Sequence, residues 1–201
     1  MDAIEYLWPM GAYVLGSIPF GLLIARSKGI DLRSCGSGNI GATNVARVIG
    51  KPYGLVTLLA DLAKGLVPVL AYKHFALGQP DSLILALTGL LAVLGHCFSV
   101  FLGFKGGKGV ATATGVFLGL CPAALGLSAI CFVAAVKLTG FVSVGSLASS
   151  AVFPFLLHFI CPDPIIEPMA WSVTIVIWYR HQDNIRRLVL GEEKSWKKSQ
   201  G

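Results

Sequence analysis

The stretch VATATGVFLGLCPAALGLSAICFVAAVKL, residues 110–138, decides how this chain crosses its membrane. It is apolar from Val110 to Leu120, interrupted by Cys121-Pro122, and apolar again from Ala123 to Leu138. Read as one helix kinked at the proline, it makes one pass. Read as two helices it makes two, and everything after it changes sides. Val110 to Leu120 would give only ~16 Å of helix at ~1.5 Å per residue, against a hydrocarbon core of ~30 Å. A segment that short must be shielded by other helices, because its open end cannot face lipid.

Composition and charge choose between the two readings. Of the 201 residues 55% are hydrophobic and 13% charged, where a soluble domain carries about 25% charged residues. The apolar residues lie in long runs, so the expected fold is all-α and polytopic in a membrane. Ile4 to Ala25, Tyr53 to Phe75 and Ser82 to Leu102 precede the deciding stretch, and Val142 to Ile160 and Ile165 to Tyr179 follow it. With two passes there are seven transmembrane helices, one of them short. The N-terminus is then outside and the C-terminus cytoplasmic. All but two of the 16 Lys and Arg residues fall inside, the exceptions being Lys64 within a span and Lys73 outside. With one pass the C-terminus flips and the basic residues divide almost evenly. The positive-inside rule favours two.

The net charge of +6 therefore reports orientation. No aromatic-interleaved basic patch points to nucleic acid. Asp2 and Glu5, rather than lysines, precede the first apolar run, which argues for an uncleaved first span. Residues 1–201 read as a single integral membrane domain. The five cysteines, Cys35, Cys97, Cys121, Cys131 and Cys161, are scattered. No C-x-x-C pair or Cys/His cluster offers metal-ligand spacing, so neither a disulfide framework nor a metal is expected.

In this topology three polar stretches share the cytoplasmic face. The first, residues 33–47, contains Gly36, Gly38 and Gly41, with Ser37, Asn39, Thr43, Asn44 and Arg47. Its G-x-G-x-x-G spacing follows a membrane helix, not a strand, so a dinucleotide site is excluded. Glycines let backbone N–H groups approach a phosphate, and a helix starting near Ala42 would direct its N-terminus there. Arg47, one turn beyond Thr43, can make a bidentate pair with phosphate. The alternative is a flexible capped loop. The second stretch brackets Gly106 and Gly107 with Lys105 and Lys108, followed by Gly109 and Thr112. It reads as a cationic anion cradle opening into a helix, or as a positive-inside anchor. The third, Tyr179 to Arg187, places His181 and Asn184 at i and i+3, hence on one helical face. His181 could act as a base, as a donor to an anion, or as a passive interfacial residue.

Asp61 and Lys64 form another i, i+3 pair, either self-neutralising near a helix end or functional, as charges within membrane spans commonly are. His96 and Ser143 lie near cytoplasmic segment ends, and Ser143 is placed to cap the sixth helix toward the site. His74 and His158 fall near the outer side. No paired carboxylates, HExxH motif or G-x-S-x-G elbow is present, so the chemistry expected is transfer on a phosphorylated substrate without metal, cofactor or covalent intermediate. Two other readings remain. One is a transporter for a phosphorylated solute, which should show inverted repeats, and none is found. The other is a scaffold for anionic lipid head groups, which leaves the neutral Ser, Asn and Thr donors unexplained.

At these residues the chain resembles the bacterial acyl-phosphate-dependent glycerol-3-phosphate acyltransferases. The resemblance rests on Leu15 to Gly21, Gly36 to Asn44 with Arg47, Asp61 to Gly65, Gly95-His96, Gly103 to Thr112, and Tyr179 to His181 with Asn184-Ile185. It implies a multi-pass protein of the bacterial inner membrane with its active site on the cytoplasmic face. It implies transfer of an acyl group from acyl phosphate to the 1-hydroxyl of sn-glycerol 3-phosphate, giving lysophosphatidate and phosphate, the first acylation of phospholipid synthesis. Its donor would come from a peripheral acyl-phosphate synthase. Ser37, Arg47, His181 and Asn184 would be catalytic. Gly36, Gly38, Asn39, Gly41, Thr43, Asn44, Lys105 to Gly109, Thr112 and Ser143 would bind substrate phosphate. Two positions depart from the family pattern. Asp183 stands in place of glutamate, and Ser99 stands in place of proline, where a change of local backbone only is expected.

Overall fold

The computed structural model describes residues 3–76 and 79–196, and among them the regular structure is entirely helical. The helices are α1 (Leu7–Ser17), α2 (Phe20–Arg26), α3 (Ala42–Val48), α4 (Lys51–Phe75), α5 (Ser82–Cys97), α6 (Val110–Leu120), α7 (Pro122–Thr139), α8 (Val142–Ile160), α9 (Ile166–Arg180) and α10 (Gln182–Val189). Asp2 and the tail from residue 197 onward lie outside the described residues. Five helical stretches are long and apolar enough to cross a membrane: Leu7–Arg26, Lys51–Phe75, Ser82–Leu102, Pro122–Thr139 and Val142–Ile160. The other two expected spans are shorter, α6 having 11 residues and α9 having 15.

Proline sets two of the breaks. Pro19 pushes Ile18 out of the helical region, to ψ 119°, and so divides α1 from α2. Cys121 is likewise non-helical, at φ −144° and ψ 80°, and Pro122 takes the first position of α7, where its missing N–H costs nothing. Val110 to Leu138 is thus two helices and not one kinked helix. The chain also divides there into two compact units, Met1–Leu120 and Cys121–Gly201.

In the first unit, helices approach closely through reciprocal glycines. A Cβ on Gly16 of α1 would strike the Ala92 carbonyl of α5, and one on Gly95 of α5 would strike the Tyr13 carbonyl of α1. Gly65 of α4 meets the Thr112 carbonyl of α6 in the same way, and Gly115 of α6 meets that of Leu62. Within a bilayer, where apolar burial gives little advantage, such backbone-close packing is a main source of helix association. The break after α1 frees two carbonyls, and long-range donors take them. Ser99 Oγ donates to Ser17 O at 2.6 Å, and Lys64 Nζ to Ile18 O at 2.9 Å. Ser99 therefore does more than adjust local backbone: its buried hydroxyl ties the end of α5 to the broken first span.

In the second unit, α7 and α8 form a hairpin through Gly140. Its open end is closed by a disulfide between Cys121 and Cys161, which corrects the expectation of no bridge. Forty residues separate the two cysteines, and only the hairpin makes them neighbours. The charged tail, as far as it is described, is held in place. After α10, Gly191 takes φ 71°, a left-handed value that suits glycine. The chain then reverses onto the hairpin turn, where Trp196 N and Ser195 Oγ both donate to Gly140 O, at 2.8 and 3.2 Å.

Candidate active site

The first polar stretch is shaped by Asn44, which is buried and turned inward. Its Oδ1 accepts from Ser37 N at 2.8 Å. Its Nδ2 lies within donating distance of the carbonyls of Asn39 (2.8 Å), Cys35 (3.1 Å) and Leu32 (3.4 Å). Gly36 sits against that amide: a Cβ there would strike Asn44 Oδ1. Asn39 Oδ1 accepts from Gly41 N at 2.8 Å, directly before α3. Beneath the loop, Leu32, Ile40 and Val45 pack with Leu22 and Ala25, and Leu102 joins their edge. A wired loop on an apolar floor is not the flexible loop that the residue types alone allowed. With Asn44 and Asn39 holding the loop, the hydroxyls of Ser37 and Thr43 and the guanidinium of half-buried Arg47 make no hydrogen bond or ion pair among the described residues.

The second stretch lies beside the first, joined to it by Arg33 Nη2 donating to Lys105 O at 3.3 Å. It folds back on the end of α5: Gly106 N donates to Cys97 O at 3.1 Å and Gly107 N to His96 O at 3.0 Å. Lys105 is exposed, Lys108 half-buried, Gly107 and Gly109 buried, and α6 begins at Val110. Thr112 is fully buried, and its Oγ1 lies 3.1 Å from His96 Nδ1. Behind it, Asp61 Oδ1 is 2.8 Å from Lys64 Nζ and 3.7 Å from His96 Nδ1. The Asp61–Lys64 pair is therefore real, but it sits in the middle of α4 rather than near a helix end.

The third cluster belongs to the second unit and departs from the expected helical face. The helix breaks at His181, which has φ −101° and ψ 8° and stands between α9 and α10. His181 and Asn184 are both buried, with 2% and 5% of their surface exposed. His181 Nδ1 lies 2.7 Å from Ile177 O. A carbonyl only accepts, so Nδ1 carries a proton, and in the neutral ring Nε2 is the accepting nitrogen. Ser143 does not cap α8, because Phe141 occupies the cap position without a side-chain bond. Ser143 Oγ instead donates to Glu193 Oε1 at 2.7 Å.

Glu193 is the residue that sequence reasoning missed. Besides Ser143, Asn184 Nδ2 donates to its Oε1 at 2.6 Å and Arg187 Nε to its Oε2 at 2.8 Å. Burial alone would push its carboxyl upward, but these three donors together hold it below the ordinary carboxylate value. The available signal was Gly191, a helix stop that returns the chain. Asp183, by contrast, is exposed in the first turn of α10, and nothing about its surroundings calls for the longer glutamate.

Comparison with known proteins accounts for these parts together. The family model described as "Glycerol-3-phosphate acyltransferase" matches residues 6–191. A glycerol-3-phosphate acyltransferase of Desulfotalea psychrophila is 50% identical over 97% of this chain and 100% of its own length. One of Aquifex aeolicus is 45% identical over 90% of this chain and 94% of its own. Two crystal structures of PlsY (YgiH), an integral membrane glycerol 3-phosphate acyltransferase, are each 40% identical over 96% of this chain. The glycerol 3-phosphate form has a TM-score of 0.91 and covers 96% of the PlsY chain. The lysophosphatidic acid form has a TM-score of 0.88 and covers 95%. With the family model matching residues 6–191 and relatives matched nearly end to end, the chain belongs to the glycerol-3-phosphate acyltransferase family.

Proposed function

We propose that this enzyme, a glycerol-3-phosphate acyltransferase by its family, takes the acyl group from an acyl phosphate and delivers it to the 1-hydroxyl of sn-glycerol 3-phosphate. The products are lysophosphatidate and inorganic phosphate, and residues 1–201 serve as one catalytic domain. One observation carries this reading: the wired first loop leaves Ser37, Thr43 and Arg47 with uncommitted donors beside the Lys105–Gly109 loop. Such a set suits a phosphate monoester and a departing phosphate better than a thioester. The two ligand forms of the PlsY structures correspond to the acceptor and product of this reaction.

The hydroxyl attacks the acyl carbonyl and the C–O bond to phosphate breaks. Ser37, Arg47, Lys105 and Lys108 compensate the charge on the substrate and leaving phosphates. Gly36, Gly38, Asn39, Gly41 and Asn44 set the loop, and binding both substrates together supplies proximity. The hydroxyl proton passes to His181 Nε2 or to a substrate phosphate oxygen, and Ser143 and Glu193 hold Asn184 in place. No metal or cofactor is required, because an acyl phosphate is already activated. The transporter reading has nothing left that favours it over the family.

We assign seven crossings, the outer side to the N-terminus and the cytoplasmic side of the inner membrane to the three polar stretches. Besides the charge distribution, the Cys121–Cys161 bridge supports this. In the seven-pass arrangement both cysteines reach the outer face, where disulfides form and persist. Were residues 110–138 a single pass, Cys121 would lie at mid-bilayer, away from any membrane surface. A donor made by a peripheral synthase would arrive from the cytoplasm, and the product would remain with the membrane lipid. The test is an assay of purified protein with glycerol 3-phosphate and either acyl phosphate or acyl-CoA. Lysophosphatidate and phosphate should form with acyl phosphate alone. Equal or greater turnover of acyl-CoA would overturn the donor assignment.

A further inference from the structure

The proposed chemistry leaves one buried cluster unused. Asp61, Lys64, His96 and Thr112 lie within the first unit at 2%, 3%, 5% and 0% exposure, in a span where every such group needs a reason. Their arrangement has a direction. Lys64 is anchored on Ile18 O at the break between α1 and α2. It pairs with Asp61, and the same carboxylate oxygen lies 3.7 Å from His96 Nδ1, which is also 3.1 Å from Thr112 Oγ1. The opposite edge of the imidazole faces the second glycine stretch. A Cβ added to Gly107 would strike His96 Nε2, and one added to Gly106 would strike the His96 carbonyl. That carbonyl already accepts from Gly107 N at 3.0 Å. His96 thus meets the loop twice, by its backbone and by its ring, and is held from behind by groups on α4 and α6.

We propose that His96 is a positioning residue for the Lys105–Gly109 loop. Thr112 and the Asp61–Lys64 pair fix the imidazole plane, and the ring with its own carbonyl sets where the Lys105–Gly109 loop meets a phosphate. The Asp61 carboxylate favours a proton on Nδ1, so the accepting edge of the ring is the one turned toward the loop. Buried in this way, His96 does not touch substrate; it governs the geometry of groups that do. Thr112, expected to bind phosphate, acts through His96 instead. This inference rests on reading the loop as the cradle of a substrate phosphate.

The experiment measures kcat and KM separately for glycerol 3-phosphate and acyl phosphate, on variants whose folding is checked by thermal unfolding in detergent. His96→Gln keeps polar atoms but loses the rigid ring. It should raise the KM of one phosphate-bearing substrate by ~10-fold to ~100-fold, the scale of a misplaced positioning contact, with kcat changed far less. Thr112→Val should shift the same KM in the same direction by a smaller factor, and Thr112→Ser, which restores the hydroxyl, should reverse it. If His96→Gln does not fold, the Thr112 pair decides alone, since a merely structural role would not separate one KM from the other. Unchanged KM values for both substrates, or loss of kcat alone, would overturn the proposal. Gly107→Ala and Lys105→Ala distinguish the underlying reading. If they leave both KM values unchanged, the loop is not a phosphate cradle. If they raise one KM and the His96 and Thr112 variants do not, only the positioning role fails.

Discussion

Arg47 and Lys105 carry the same charge, yet their chemistry differs, and so do their expected substitutions. Arg47 presents a planar fork with no hydrogen-bond or ion-pair partner among the described residues, half-buried at the end of α3. Arg47→Lys keeps the charge and loses the fork. We expect kcat/KM to fall by roughly 10-fold or more, about 1.4 kcal/mol of transition-state stabilisation, with the unfolding temperature unchanged. Normal kinetics for both substrates would show that bidentate recognition does not occur there. His181 poses a sharper question because its Nδ1 is already committed to Ile177 O. As the base it must accept through Nε2, so the rate should rise with pH through the imidazole ionisation, and His181→Gln should cost about 10²-fold or more. A glutamine variant within a few-fold of wild type would transfer the proton to a substrate phosphate oxygen. Glu193 makes a pH prediction of its own. Its folded-state value is depressed, so its contribution is complete above the unfolded carboxylate value of about 4.3 and is lost as pH falls through the lower folded one. Cleavage of residues 191–196 by an acid-active protease should therefore stay suppressed down to ordinary carboxylate pH and rise only below it. A rise at higher pH would mean that Ser143, Asn184 and Arg187 do not hold the carboxylate.

Between elements, short connections and close backbones do the joining. The reciprocal glycines of α1 with α5 and of α4 with α6 bring carbonyls within reach of α-carbons, and the buried polar cluster lies among those same helices. In the second unit, α7 packs less of itself, and its hairpin with α8 depends more on covalent closure. Cys121→Ser should lower stability by ~2–4 kcal/mol, the usual cost of losing a bridge, read as a drop in unfolding temperature. Reductant should reproduce the drop in the wild-type protein and have no effect on the variant. Turnover at low temperature should be unchanged, because the bridge joins the N-terminus of α7 to the C-terminus of α8, away from the Gly140 turn where the tail docks. Equal unfolding temperatures for the two proteins would show that the bridge does not form.

At the scale of the whole molecule the seven-pass assignment makes a simple demand. A reporter fused after Gly201 should be cytoplasmic, and one inserted between Cys161 and Glu167 should be external. An external C-terminal reporter would remove the assignment, and with it a cytoplasmic location for all three polar stretches. The two short helices, α6 and α9, are where the demand is most exposed, since neither reaches the length of an ordinary span. Their polar neighbours, the Lys105–Gly109 loop before α6 and His181 after α9, are the stretches proposed to be functional, and shortening the helix there leaves room for irregular backbone that lipid would not tolerate.

By itself the sequence determined the class of the protein and pointed to the sidedness of its charges and the chemistry of its loops. Each of these is local. Hydropathy is carried by contiguous runs, Lys and Arg sort by the segments they flank, and the glycine stretches are unbroken strings whose donors are adjacent in the chain. Only the tertiary structure decided which of those polar groups serve the fold and which are left for substrate. Asn44 had the appearance of a phosphate donor and is committed to its own loop. Ser143 had the appearance of a cap and bonds Glu193, fifty residues away. Cys121 with Cys161, and His96 with Asp61 and Thr112, are pairings of the same kind. A hydrogen-bonding side chain has several partners of comparable strength, and the choice among them falls to whichever helices pack together, which no short run of sequence contains.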